Sequence, residues 1–78
     1  MIRLIMYKPV AVTHKNGIKG TLSTPDTVIG FKTAYSYFHV WKSDGYNILE
    51  AYIELYNMEN PIDIKKIDAI KVDISKIV

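Results

Sequence analysis

The chain has 78 residues, a hydrophobic fraction of 49% and a formal net charge of +2 from ten basic and eight acidic residues. A chain this short forms one small core, so we predict a single small domain over residues 1–78. The nearly balanced charge argues against a dedicated nucleic-acid binder, and the lack of cysteine excludes disulfides and thiolate metal sites.

No segment of the sequence approaches the ~20 consecutive apolar residues that a membrane-spanning helix needs. The apolar stretch from Leu4 to Tyr7 is also too short for the core of a signal peptide. We therefore expect a soluble, cytoplasmic protein without a membrane partner. The abundance of Ile, Lys, Tyr and Asn resembles the coding bias of AT-rich genomes, such as those of low-GC bacteria and their phages.

The first predicted strand runs from Ile2 to Tyr7, and Pro9 places an edge or a bend after it. Alternation at Val10, Val12 and His14 then predicts a half-buried strand.

Asn16-Gly17 predicts a tight hairpin turn, because both residue types tolerate positive φ. The returning strand is predicted over Ile18–Leu22, with Gly20 marking a bulge or a close backbone approach.

Thr27–Trp41 is rich in β-branched and aromatic residues and predicts a long strand, which Lys42–Gly45 turns back. One face of this strand carries Phe31, Thr33, Tyr35, Tyr37, His39 and Trp41. The other face carries Lys32, Ala34, Ser36, Phe38, Val40 and Lys42.

Tyr46–Met58 fits two structures. In a helix, the apolar side would hold Ile48, Leu49, Tyr52, Ile53 and Tyr56. In a strand, the same segment would return along the aromatic strand after the turn. Both alternatives stay open at this point.

Asn60-Pro61 ends the preceding element, and Lys65–Asp68 predicts a short turn. Alternation over Ala69–Ile74 then predicts a last strand with Ile70, Val72 and Ile74 facing inward.

These elements predict a mostly β fold, either a small antiparallel barrel or a strongly bent sheet, with a short helix near residues 47–58 if the segment is helical; the alternative class is α+β. Lys8–Leu22 resembles the opening hairpin of small SH3-like and Sm-like barrels, and Ile62–Ile74 resembles their last turn and strand. The resemblance concerns architecture and assigns no functional residue.

No arrangement of residues indicates catalysis. His14 and His39 lie 25 positions apart without a third ligand at a suitable spacing, whereas a catalytic zinc site needs three protein ligands. Glu50 and Glu54 fit a solvated surface. We therefore predict no enzyme activity, metal or cofactor.

The aromatic strand remains as the candidate binding site. Its residues form either the core or a surface that contacts a partner, since Tyr and Trp are favoured at interface hot spots. The candidate binding residues are Tyr35, Tyr37, His39, Trp41, Lys32 and Lys42.

Our leading hypothesis is a non-enzymatic protein-interaction module that binds another protein or its own copies, such as a small phage or mobile-element accessory protein directed at a host protein. The alternative is a small β-barrel that binds single-stranded nucleic acid, with aromatic rings stacking on bases. The lysines expected to line that platform are Lys15, Lys19, Lys32 and Lys42.

Overall fold

The computed structural model describes residues 5–59 and 62–77. The elements are β1 (Ile5–Lys15), β2 (Ile18–Ser23), α1 (Phe31–Ser43), β3 (Asn47–Asn57) and β4 (Lys65–Val72), followed by a 3₁₀ turn at Ile74–Lys76. The four strands form one antiparallel sheet in the order β2-β1-β3-β4. The predicted mostly β fold is confirmed, and the sheet is open rather than closed into a barrel. Its one helix among the described residues lies at Phe31–Ser43 and not near residues 47–58. The predictions for residues 2–4 and for Asn60-Pro61 lie outside the described residues.

The β1-β2 hairpin forms at the predicted turn. Asn16 and Gly17 have φ values of 55° and 80°, as a type I′ turn requires, and Lys15 pairs with Ile18. Gly20 does not mark a bulge, because the pairing of β1 with β2 is regular throughout. It does not mark a close approach either, since a Cβ at Gly20 would meet no atom within 4 Å.

Pro9 lies inside β1, opposite Ile53 of β3. Backbone groups of β1 point alternately to its two neighbours, and those of Tyr7 bond to Val28 on the β2 side. Proline has no N–H, and its nitrogen therefore also faces the β2 side, beyond the point where β2 ends at Ser23. The edge predicted at Pro9 is thus present on one side of β1 only, where no strand pairs with it.

α1 occupies Phe31–Ser43, so the prediction of a strand over Thr27–Trp41 is wrong. The buried residues Ala34 and Phe38 lie four positions apart, and Trp41, three positions further on, packs against the same core. The aromatic composition favours a strand locally, but this helical spacing lets one stripe of side chains cover the sheet.

The predicted Asp-Gly turn is the end of this helix instead of a hairpin. Gly45 has a φ of 95°, and its N–H donates to the carbonyl of Lys42 at 3.1 Å. The N–H of Tyr46 donates to the carbonyl of Trp41 at 3.2 Å, which completes a Schellman motif.

For the segment near 47–58, the strand alternative is correct, because β3 spans Asn47–Asn57. Its pairing with β1 shifts between Val12 and Thr13, which leaves Leu49 as an extra residue in β3. The shift also disguises the strand in the sequence, since apolar residues before and after a bulge fall out of strict alternation.

β4 begins at Lys65, so Lys65–Asp68 belongs to the strand and the predicted turn there is wrong. Ile70 and Val72 lie on the predicted inward face, opposite buried residues of β3. Ile74 lies in the 3₁₀ turn rather than in the strand.

The core lies between α1 and one face of the sheet. α1 packs mainly against the two central strands, β1 and β3. The buried hydrophobic residues are Ala11, Ala34, Phe38, Ile48, Ala51, Ile53, Val72 and Ile77. The helix thus covers the middle of one sheet face, and the opposite face forms a separate surface.

Candidate interaction surfaces

The helix divides the six predicted binding residues among different environments. Tyr35 is half-buried, and its ring centroid lies 5.1 Å from that of Phe31 and 6.1 Å from that of Phe38. His39 and Lys32 are exposed on the helix. The prediction that Tyr35, Tyr37, His39 and Trp41 share one strand face is therefore wrong, while the role of the six residues in binding stays a prediction.

Tyr37 and Trp41 are the two predicted residues that the structure brings together. They lie one helical turn apart, with ring centroids separated by 6.4 Å, and both are half-buried. Trp41 also packs against the core, at 5.6 Å from the Phe38 ring. Lys42 is exposed, and its Nζ donates to the carbonyl of Ile77 at 3.0 Å, so it stabilises the C-terminal turn.

The sheet face opposite α1, which we call the open face, carries the side chains that alternate with the core. On β1 the core-facing Pro9, Ala11 and Thr13 are buried, so the residues between them point the other way.

Strand register places Tyr56 beside Met6 and Tyr52 beside Val10. The apolar and aromatic members of the open face are Met6, Val10, Val12, Tyr52 and Tyr56, all half-buried.

Charged side chains surround the tyrosines of the open face. The Tyr52 hydroxyl donates to Glu50 at 2.6 Å, and the Tyr56 hydroxyl donates to Glu54 at 3.0 Å. Lys66 of β4 pairs with Glu54 at 3.0 Å. The hydrogen bond to Glu50 raises the pKa of Tyr52, and burial together with the bond to Glu54 raises the pKa of Tyr56. Both phenols thus stay protonated and keep their donors fixed.

Glu54 lies at the centre of this network. Burial raises the pKa of Glu54, but hydrogen bonds from Lys66 and Tyr56 and the charges of Lys66 and Lys8 together lower it below its ordinary value of 4.5. A lowered carboxyl pKa stabilises the folded state above the unfolded pKa, and this contribution is lost as pH falls through the folded pKa.

We expect Glu54→Gln to reduce the free energy of unfolding by about 0.5–1 kcal/mol at neutral pH, because Lys66 is half exposed and water screens the pair. Urea unfolding from neutral pH into acid should show this difference intact above pH 4.5 and vanishing below it. Asp63→Asn is the control, since the Asp63–Lys65 pair is largely exposed and should contribute nothing measurable. A Glu54→Gln difference that stays constant through the acid range would contradict this role.

β2 forms one edge of the sheet and pairs only with β1. A groove of about 270 Å³ lies along β2, lined mainly by Ile18, Gly20 and Leu22 together with Tyr46. Ile18 is 75% exposed. Lys15 borders the groove with its Nζ 4.6 Å from the centre of the Tyr46 ring. This edge is therefore a second apolar surface.

β4 forms the other edge and differs in two ways. Its pairing with β3 shifts between Leu55 and Tyr56, so the strand is bulged, and it carries Lys65, Lys66 and Lys71. Bulges and lysines are the features with which edge strands resist pairing with other chains. The two edges are thus not equivalent, and β2 is the regular one.

Within residues 5–59 and 62–77, no group of three or more metal-ligating side chains comes together. His14 instead contacts Asn47, with 2.8 Å between its Nε2 and the amide nitrogen, while His39 lies on the exposed side of α1. No helix among these residues is long and apolar enough to cross a membrane.

The sequence alone does not show the open face as a site. The alternation at Val10 and Val12 predicts a strand, but Tyr52 and Tyr56 belong to a segment that fits either a helix or a strand. Once β3 is known to be a strand, period-two alternation puts both tyrosines on one face. The sequence did not reveal that the helix lies at Phe31–Ser43, which leaves the following segment to form a strand.

The sequence matches no protein-family model, and comparisons with curated proteins and with solved structures find no significant similarity.

Proposed function

We propose that the protein is a non-enzymatic protein-interaction module that uses the open face of its sheet to bind another protein or its own copies. The observation that carries this proposal is the row of Met6, Val10 and Val12 on β1, flanked by the tyrosines of β3 and left uncovered by α1. No element within the described residues packs on this face.

The chemistry of the open face supports a protein partner. Apolar and aromatic side chains alternate along it with charges of both signs, since the Lys8–Glu54 pair lies between the Met6–Tyr56 and Val10–Tyr52 pairs. Tyrosine is enriched at protein interfaces, where direct hydrogen bonds accompany the apolar contacts. Tyr52 and Tyr56 present large amphipathic rings whose hydroxyls are already fixed by carboxylates. Fixed rings lose little conformational entropy on binding. A cytoplasmic accessory protein of a phage or mobile element is the setting that the composition favours.

The proposal predicts that Val12→Lys abolishes partner binding. The substitution puts a charge among the apolar side chains of the open face, and the introduced ammonium group would lie opposite Glu50, so the strand should still fold. Capture from a lysate on immobilised protein, quantified by mass spectrometry, should fall by about tenfold or more.

Val40→Lys is the matched control, because Val40 lies on α1 and is already 53% exposed. It should retain the same partner as the unmodified protein, and circular dichroism should show both variants folded. Equal capture by the Val12→Lys variant would contradict the proposal, as would an unmodified protein that is strictly monomeric and retains no partner.

Binding of single-stranded nucleic acid is the second proposal. It is favoured by the lysines that flank the tyrosines of the open face, Lys8 and Lys71 among them. The carboxylates of Glu50 and Glu54 next to the same rings oppose a polyanion, and the lysines first expected to line the platform are divided among β1, β2 and α1. Fluorescence anisotropy at two salt concentrations tests it, since nucleic-acid binding must weaken steeply with salt.

A further inference from the structure

We infer that two copies of this chain associate through antiparallel pairing of their β2 strands, which would join the two sheets into one of eight strands. This inference rests on the proposed function and specifies self-association for its second surface, the β2 edge. Two-fold symmetry limits the possible pairings of the two strands. If one residue of the first copy pairs with a second residue of the other copy, the reverse pair forms as well, and both pairs lie on the same sheet face.

The hairpin turn determines which groups of β2 are available. In a two-residue hairpin the flanking pair, here Lys15 and Ile18, exchanges both backbone hydrogen bonds. The backbone N–H and C=O groups of Lys19, Thr21 and Ser23 therefore point away from β1. No described residue pairs with them.

One symmetric register suits these groups. With the two-fold axis at Gly20, Lys19 of each copy faces Thr21 of the other, and these pairs form four backbone hydrogen bonds. The side chains also match, since Ile18 of each copy meets Leu22 of the other on the side of the groove. No like charges face each other directly.

Gly20 suits the centre of this interface. It would face its own copy in a non-hydrogen-bonded pair, where the strands approach most closely, and it has no side chain to obstruct the approach. Its Cβ position is open and its φ lies outside the left-handed region, so the hairpin itself does not require glycine there. Pairing with a second copy gives this glycine a role that the monomer lacks.

The two edges differ in a way that favours β2 over β4 as the contact. β4 is bulged and carries three lysines, whereas β2 is regular and carries one, Lys19. Both edges expose isoleucine, so the bulge and the lysines make the difference. A strand that needed protection from other chains would carry the features of β4.

A cysteine at the symmetry axis tests this arrangement directly. The chain contains no cysteine, so Gly20→Cys introduces a single thiol. Residues in a non-hydrogen-bonded pair have Cα atoms about 4.5 Å apart, within the range of a disulfide. Mild oxidation should convert the folded variant into a covalent dimer about tenfold faster than an Ala69→Cys variant, whose thiol lies on β4. Urea should abolish the difference.

The noncovalent dimer is tested without cysteine. Light scattering over a concentration series should show the mass of the unmodified protein rising from 8.9 kDa toward twice that value. Ile18→Ser should weaken association about tenfold, because symmetry removes two contacts at once. Ile29→Ser is the matched control, since Ile29 is 67% exposed but lies outside β2.

Equal oxidation rates for the Gly20→Cys and Ala69→Cys variants, or a faster rate for Ala69→Cys, would overturn the inference. So would a mass that stays at 8.9 kDa at every concentration. Partner capture that remains sensitive to Val12→Lys in that case would leave the proposed function standing and reject β2 pairing alone.

Discussion

Replacing Phe38 with alanine should lower the free energy of unfolding by about 3–5 kcal/mol. The Phe38 side chain is fully buried between α1 and the sheet, and it contacts the rings of Tyr35 and Trp41. Small domains have a total stability of roughly 5–15 kcal/mol, and a core this small belongs at the lower end. Urea unfolding followed by circular dichroism should therefore show a protein close to, or past, its midpoint without denaturant.

The neighbouring residue provides the control for Phe38. His39 is exposed on α1, so His39→Ala should change stability by less than about 0.5 kcal/mol. A strand with its aromatic face inward would reverse this order, because Phe38 would then lie on the wet face and His39 on the buried one. A larger loss for His39→Ala than for Phe38→Ala would contradict the helical packing.

The second large effect is expected at Ile53. Ile53→Ala should cost about 2–5 kcal/mol, because this side chain is fully buried under α1 in the central strand β3. Ile70 lies directly opposite on β4, on the same sheet face, yet it is 39% exposed. Ile70→Ala should therefore cost about 1 kcal/mol or less.

The two isoleucines share a sheet face, but α1 covers Ile53 in the central strand and leaves Ile70 exposed on the edge strand. Chemical denaturation of both variants under identical conditions gives the comparison, with the m-value checking that neither changes the unfolded state. Equal losses at Ile53 and Ile70 would mean that another part of the chain covers β4 as well, and the account of the sheet edges would then be wrong.

Local signals in the sequence predicted the parts of the fold that depend on local chemistry. Asn16-Gly17 determines the hairpin through positive φ at both residues, and Pro9 lies where pairing on one side of β1 stops. The alternation at Val10 and Val12 identified a strand with two unlike faces.

The helix could not be predicted in the same way, because its sequence satisfies two periods. Phe31–Ser43 alternates like a strand and is aromatic, but Ala34 and Phe38 also recur at helical spacing. The choice depends on tertiary packing: a helix covers two central strands with one stripe, whereas a fifth strand would leave the core without a second layer. Bulges at Leu49 and in β4 blurred the alternation that would have identified the remaining strands.

The candidate site was misplaced for the same reason. Placing the aromatic segment in a strand grouped Tyr35, Tyr37, His39 and Trp41 on one face, whereas the helix keeps only Tyr37 and Trp41 of these four side by side. The open face became visible only when the helix was located on the other side of the sheet.

The central claim is that Phe31–Ser43 is a helix on one face of an open sheet, which leaves the other face and the β2 edge for partners. Nuclear Overhauser effects from the Phe38 ring test it most directly. We expect contacts to the methyl groups of Ala11 and Ala51, which share its core cluster, together with sequential amide–amide contacts through α1. Cross-strand contacts between Phe31–Ser43 and β3 in a hairpin register would contradict the claim.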